Sequence, residues 1–464
     1  MSNLDSFKHI HFIGAGGISM SALAKLMLLW GKKVTGSDIR YSDEVCELIQ
    51  WGANIAIGHD AENIKNADIV VYTAAISENN TELLFAQKNA IPTIERKHLL
   101  SEISRVYDFV IAVAGTHGKT TVTGMLCSIF DNANLCFTAH LGGKIVDGIG
   151  NLIFKGYNYF ITEACEYQRS LLTLKPDVAV ILNVEQDHPD TYATIGELYA
   201  TFDQFLKGIR KNGTAVIAAE SEYYNIDRLP YNHISNITSA HIYKYGVEGN
   251  LDIEMRSIIC DDKGCFGCRL KVDGSQDISI KLRIPGYHNL INAVAAYATC
   301  KVCGIDDSII KTGLENFLGV ERRFQHVGSF NNAEIFTDYA HHPTEIQNAI
   351  YTAMPIKINR LICVFQPHTY SRTSLLFEKF VDSFVNVHKL YIFKEYAARE
   401  HSSMGKTAFD LYTAIKAKQV AEIFYYDNLL SLAQSIKLEL KPGDVLLILG
   451  AGDIHLLAKL INQN

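Results

Sequence analysis

Residues 109–126, FVIAVAGTHGKTTVTGML, constrain this chain more than any other stretch. An apolar run from Phe109 to Ala114 passes into GTHGKTT, after which Val122, Met125 and Leu126 return at helical spacing. The pattern predicts a buried strand, a tight glycine loop and the first turn of a helix. Backbone N–H groups and the positive end of a helix converge at such a junction, which suits it to phosphate. Lys119 adds a mobile charge for the outer phosphates, and the Thr120 hydroxyl can reach a Mg²⁺ ion bridging them. The strict phosphate-loop pattern has four residues between its first glycine and GK, whereas Gly115 lies three positions before Gly118. A plain glycine turn is the ordinary alternative, yet strand, GK, tandem threonines and helix fall in the required order. Gly115, Thr116, His117, Gly118, Lys119, Thr120 and Thr121 are therefore the expected nucleotide triphosphate loop.

A chain of 464 residues is long for one hydrophobic core, so three domains are expected. Its net charge of −7 offers no general attraction to nucleic acid or to an anionic membrane. No early apolar run resembles a signal peptide and none is long enough to span a bilayer, which places the expected compartment in the cytoplasm. Ten cysteines include Cys265-x-x-Cys268 and Cys300-x-x-Cys303, a spacing that would suit a four-thiolate zinc site. The second pair sits in NAVAAYATCKVCG, however, which reads as a buried helix and its end; reduced thiols are the expectation.

Residues 9–30, HIHFIGAGGISMSALAKLMLLW, read as strand, glycine turn and helix, and KKVTGSD as a second strand. Asp38 then falls a little over twenty residues beyond Gly14, the arrangement of a dinucleotide fold in which glycines admit a pyrophosphate and the acid meets a ribose. The glycines are GAGG, without the third glycine of GxGxxG. Gly14, Ala15, Gly16, Gly17, Ile18 and Ser19 are thus candidates for holding a diphosphate. Asp38 has two open roles, ribose contact or turn cap. A later parallel strand is read at 67–75, and the pattern resets near Val106, giving a first boundary at 107.

In the second unit, YFITEACE and PDVAVILNVEQDHPDTY are strands that end in polar clusters. Functional groups gather beyond the carboxyl ends of parallel strands, so Glu163 and His188 are expected beside the Lys119 loop. A helix cap or a surface salt bridge is the ordinary role for a lone acid there. GTAVIAAE and 241–284 are strand-rich, and PGYHNLINAVAAYATCKVCG gives a turn and a long helix with Asn289 and Asn292 at its start. VERRFQ follows, and the second boundary is placed at 319. The last unit repeats α/β logic, with Asp338, His341 and His342 after one strand and GAGDI at another glycine turn.

The stretches GAGGISMSALA, GTHGKTTVTGML, EACEY, NVEQDHPDTY, PGYHNLINAVAA, ERRFQ, DYAHHPTEI, FQPHTYSRT and GAGDI together resemble the bacterial Mur ligases over essentially the full length. The resemblance implies an α/β protein of three domains: a Rossmann-like UDP-sugar domain (1–107), a central phosphate-loop ATPase with a mostly parallel sheet (108–319), and a Rossmann-like C-terminal domain that closes over the nucleotide and admits the amino acid (320–464). Gly14–Ser19 would hold the sugar diphosphate. Lys119 and Thr120 would hold ATP phosphates and Mg²⁺, with Mn²⁺ as an alternative ion. Glu163 and His188 would organise the divalent ions, and Asn289 and Asn292 would serve the nucleotide site. Arg323, rather than its neighbour Arg322, would meet ATP together with Asp338; His342 and Arg372 would lie near the amino acid.

The implied activity is ATP-dependent addition of L-alanine to the lactyl carboxylate of UDP-N-acetylmuramate, by a monomer or weak homodimer with no nucleic acid partner. Two departures stand out. Much of this branch has EADES where this chain has EACEY, and many members have arginine after FQPH where Thr369 stands here. Three rival readings remain: a dehydrogenase fused to a kinase, a non-catalytic nucleotide switch, and a recycling ligase that adds a whole peptide to the same UDP sugar.

Overall fold

The computed structural model describes residues 3–146, 150–219, 238–272, 276–356, 359–398, 400–401, 405–419 and 421–462. Three separate sheets organise them. The first is wholly parallel and contains β1 (His9–Ile13), β2 (Lys33–Asp38), β3 (Asn54–Ile57), β4 (Ile69–Tyr72) and β5 (Thr93–Glu95) in the order β3-β2-β1-β4-β5. The order reverses beside β1, so the crevice of this sheet opens at the GAGG turn that follows it.

The central sheet has ten strands: β6 (Phe109–Ala114), β7 (Phe137–Ile145), β8 (Gly150–Phe154), β9 (Tyr159–Ala164), β10 (Val178–Ile181), β11 (Thr214–Ala218), β12 (His241–Gly246), β13 (Ile253–Cys260), β14 (Cys265–Val272) and β15 (Ile278–Pro285). Their order is β15-β14-β13-β12-β11-β10-β6-β9-β7-β8. Strands β6, β9 and β10 are adjacent and parallel, which brings the ends of all three expected active-site strands to one edge. Antiparallel pairing is confined to β7–β8 and the β13–β14–β15 meander. The strand expected at 213–220 covers Thr214–Ala218, with Glu220 outside the described residues; so are 273–275 of the strand-rich stretch.

The third sheet holds β16 (Gln325–Phe330), β17 (Ala333–Asp338), β18 (Leu361–Phe365), β19 (Lys389–Phe393), β20 (Glu422–Tyr426) and β21 (Val445–Leu449) in the order β16-β17-β21-β18-β19-β20. It is parallel except for the β16–β17 hairpin. Burial of VLLIL and LICVF on both faces follows from helices covering both sides.

The helix Ile18–Leu29 departs from the usual amphipathic pattern: every residue from Met20 to Met27 is buried. The cause is a second roof. One apolar cluster joins Leu23, Leu26 and Met27 of this helix with Leu152 of β8 and Phe160 of β9, so the first and central sheets share a core. Even Lys25 is enclosed there, and it is satisfied by Glu47 at 2.6 Å and Asn151 at 2.9 Å. The third sheet has apolar clusters of its own on its two faces, and neither contains a residue from the other sheets. All ten cysteines are free, and the two CxxC pairs form no metal-type cluster among the described residues. No described helix is long and apolar enough to cross a membrane.

Candidate active site

Strand β6 delivers the glycine loop to the helix Lys119–Asn132, as its sequence predicts. Gly118 caps that helix with φ +87°, and a Cβ there would lie 2.5 Å from Asn292 Oδ1, so backbone geometry and crowding both require glycine. The turn is clamped by the end of β10. Thr116 N–H donates to Asn183 O, His117 N–H to Asn183 Oδ1 at 2.8 Å, and Glu185 N–H to the Thr116 hydroxyl at 2.9 Å.

Lys119 turns back over the loop, donating to the carbonyls of Gly115 and Thr116 and to Glu166 Oε2 at 2.9 Å. Burial alone would lower its pKa, but the Glu166 carboxylate overcomes this and raises it. Glu166 is almost fully buried; burial pushes it up, yet Lys119 and then His188 bring it down to about 2. His188 Nε2 faces Glu166 Oε1 at 3.4 Å, and its backbone is left-handed at φ +53°. Glu163 lies across the same opening, accepting the Gly142 N–H at 2.6 Å. Cys165, between the two glutamates, is pushed up to about 11, first by burial and then by Glu166, and so stands there as a neutral thiol.

These groups border a cleft of about 480 Å³ to which all three sheets contribute. Gly16 and Ile18 come from the first, Lys119, Thr120, Glu163, Glu166 and His188 from the second, and Arg323, Tyr339 and His341 from the third. A side cavity runs on from the loop and is bordered by Gly118, Thr121, Asn289, Asn292, Arg323 and Asp338. Arg323 thus borders both spaces and pairs with Glu345 at 3.5 Å, whereas Arg322 is spent on the carbonyls of Gly450 and Gly452. Asp338 accepts N–H bonds from Phe324 and Ala340, and burial raises its pKa to about 6.

Three expectations change in detail. In the GAGG loop the N–H groups of Gly14 and Ala15 donate to Ser37 O, that of Gly16 to Asp38 and that of Gly17 to Gly14 O. The loop is self-fastened, and Gly16 and Ile18 are what it presents to the cleft, while the Ser19 hydroxyl is engaged by His140 and Arg96. Asp38 fills the turn-fastening role, and a Cβ on Gly16 would lie 2.9 Å from its Oδ2.

His342 does not border the cleft. It is fully buried as the N-cap of the helix Pro343–Ala353, and its Nε2 meets Gln186 O at 3.3 Å. Its neighbour His341 faces the cleft instead, with its ring 5.8 Å from that of His368. Arg372 is also engaged: Nε and Nη2 donate to the two Asp187 oxygens at 2.7 and 3.2 Å, and Nη1 lies 3.1 Å from His368 Nδ1. A free fork for an amino-acid carboxylate is therefore not what this arrangement offers.

Sequence reading also passed over Asn183, Glu185 and Asp187 as site residues, although all three stand in NVEQDHPDTY. The stretch binds the third sheet's loops to the phosphate loop. Thr344 donates its hydroxyl to both Glu185 oxygens at 2.8 Å, and His117 bridges Glu185 at 3.2 Å and Glu345 at 3.1 Å. Burial would lower His117, but Glu345 and Glu185 hold it up at about 9.

The family descriptions "Mur ligase family, catalytic domain", "Mur ligase middle domain" and "Mur ligase, glutamate ligase domain" match residues 9–108, 113–300 and 322–452. A UDP-N-acetylmuramate–L-alanine ligase of Clostridium tetani is 42% identical, with 97% of each chain covered. That of Acetivibrio thermocellus is 38% identical, covering 97% of this chain and 95% of the relative. Among solved structures, UDP-N-acetylmuramate-alanine ligase from Thermotoga maritima superposes with a TM-score of 0.82 at 26% identity, covering 98% of both chains. A murein peptide ligase from Psychrobacter arcticus shares the fold, with a TM-score of 0.75 at 22% identity and coverage of 98% and 99%. With these matches spanning all three sheets and the cleft between them, the chain belongs to the Mur ligase family.

Proposed function

We propose that this chain joins L-alanine to the lactyl carboxylate of UDP-N-acetylmuramate at the expense of ATP, a step of peptidoglycan synthesis. The observation that carries the reading is the single cleft bordered by loops of all three sheets. It sets a sugar-diphosphate loop, a phosphate loop and a third loop set around one space. The substrates follow the names of relatives about 40% identical. The sheets span 9–95, 109–285 and 325–449, which supports domains at 1–107, 108–319 and 320–464.

In this reading, the ATP γ-phosphoryl group passes to the lactyl carboxylate, giving an acyl phosphate and ADP. The alanine amine attacks the acyl carbon, and phosphate leaves as the amide forms. Lys119 follows the negative charge of the transferring group, and Arg323 meets it from the other wall. Glu166 stays ionised and orients both Lys119 and His188. Asn289, Asn292 and Asp338 border the side cavity, which at about 70 Å³ must widen to take the rest of the nucleotide. Thr120, Glu163 and His188 offer a hydroxyl, a carboxylate and an imidazole at one opening, a mainly oxygen donor set suited to Mg²⁺. The ion would neutralise phosphate charge there.

Glu163→Ala and His188→Ala should each raise the Mg²⁺ needed for half-maximal activity about tenfold or more, since a weakened site needs more ion to fill. Magnesium titrations that overlay the parent protein's would remove both residues from the metal site.

The acceptor is tested by competition. With ATP, Mg²⁺ and UDP-N-acetylmuramate, phosphate release and product mass should show L-alanine preferred to glycine, serine or a tripeptide. One methyl group is worth about 1–3 kcal/mol in a pocket, so glycine should be used poorly without being excluded. Equal or better use of the tripeptide would reassign the chain to peptide recycling and leave the amide-ligase chemistry standing.

A further inference from the structure

The geometry points to a transition-metal site, of the kind that takes Zn²⁺ or Co²⁺, formed by His117 Nε2, Glu185 and His342 Nδ1 at the seam between the central and third sheets. It shares no ligand with the Thr120–Glu163–His188 set, although His117 belongs to the phosphate loop and borders the side cavity. One atom from each of the three residues lies within 4.8 Å of the others. Glu185 Oε2 stands 3.2 Å from His117 Nε2 and 3.9 Å from His342 Nδ1. Tetrahedral zinc with ligands at about 2.0–2.1 Å needs neighbouring ligand atoms roughly 3.4 Å apart, so Glu185 is already close to that spacing and the two imidazoles, within 4.8 Å of each other, have to draw together.

Each ligand is already oriented from behind. His117 Nδ1 is held by Glu345 at 3.1 Å, and Nε2, whose proton now lies toward Glu185 at 3.2 Å, would release that proton to solvent on taking an ion. His342 Nε2 is held by Gln186 O at 3.3 Å, which leaves the Nδ1 lone pair on the inner side, where it now meets only Thr344 N–H at 3.4 Å. Glu185 is braced by the Thr344 hydroxyl. Metal sites depend on such outer partners for ring orientation and basicity. Two imidazoles and one carboxylate favour Zn²⁺ or Co²⁺ over Mg²⁺. Glu185 and Glu345 supply the charge an ion needs; they are opposed by Lys379, whose Nζ is 4.0 Å from Glu185 on an exposed side chain, and by Arg323, 3.5 Å from Glu345. Because His342 follows β17 while His117 and Glu185 belong to the central unit, an ion here would staple the two units in this arrangement.

Titration of the full chain with Co²⁺, without ATP or Mg²⁺, tests the site. One equivalent should give the visible absorption of a low-coordinate cobalt centre, and Zn²⁺ should abolish it. His342→Ala and Glu185→Gln should each weaken Co²⁺ binding about 100-fold or more, while Glu163→Ala should leave it intact. X-ray absorption of the Zn²⁺-loaded parent protein should count two imidazoles, a readout independent of how any variant folds. Absence of the band, its loss in Glu163→Ala, its survival in both ligand variants, or fewer than two imidazoles would overturn the assignment. Failure here leaves the ligase reading untouched, which fails only in the product assay.

Discussion

Lys119→Ala should leave the three sheets folded and remove ligation, with kcat falling on the order of 10²-fold or more. A donor aimed at charge that develops in the transition state is typically worth about 3–4 kcal/mol. The structure sharpens the reason. Lys119 sits 2.9 Å from Glu166 and is tied to two loop carbonyls, so its ammonium is already at the mouth of the phosphate loop. The variant keeps His188 beside Glu166, which leaves that buried carboxylate a partner and spares the fold. Single-turnover phosphate release is the measurement. A correctly folded variant with near-normal release would refute the role.

The second large effect falls on stability. Arg372→Ala removes the guanidinium from Asp187, leaving it the His188 N–H at 2.7 Å and the His188 ring at 3.7 Å, and both side chains of the pair are about 6% exposed. Breaking a buried ion pair from one side costs about 3–5 kcal/mol, because the remaining charge stays out of water. Asp187→Asn with Arg372→Ala should recover much of that loss, since the double variant leaves no bare carboxylate. Calorimetric melts of the four proteins in the cycle measure the coupling. Additive single effects would show that the pair does not join the third sheet to the central loop. A rise in alanine KM without lost stability would instead restore the place near the amino acid that the resemblance implies for Arg372.

Local pattern made much of this molecule legible. β6 and the helix after it follow from a run of six apolar residues, a glycine loop and helical spacing. The convergence of Glu163 and His188 on Lys119 follows from a rule about parallel strand ends, once β9 and β10 flank β6. What stayed hidden depends on partners far along the chain. Arg372 reads as a free guanidinium until Asp187, 185 positions away, closes on it. The full burial of the helix Ile18–Leu29 comes from strands β7 and β8, more than a hundred residues on, which roof its outer side.

The burial of His342 beside a cleft-facing His341 has a local signal. Pro343 occupies the first helical turn, which makes the preceding residue the N-cap and turns its ring toward the helix end. Asp38 shows the reverse case. Sequence left two roles open there, and the 2.9 Å bond from Gly16 supplies the turn-fastening one.

The two seams of the molecule are made of different material, and this decides which one can act as a hinge. Parting the first sheet from the central one would expose the shared apolar core, at about 25 cal/mol for each Å² uncovered. Parting the third sheet mainly exchanges bonds such as Thr344–Glu185 and Arg372–Asp187 for bonds to water, a replacement with a net cost of about 1 kcal/mol for an ordinary hydrogen bond and somewhat more for a charged one. The GAGG loop and the phosphate loop therefore keep a fixed spacing through a turnover, like two jaws of one casting. Any opening of the cleft is expected at the seam of the third unit, where hydrogen bonds and ion pairs part rather than a shared apolar core.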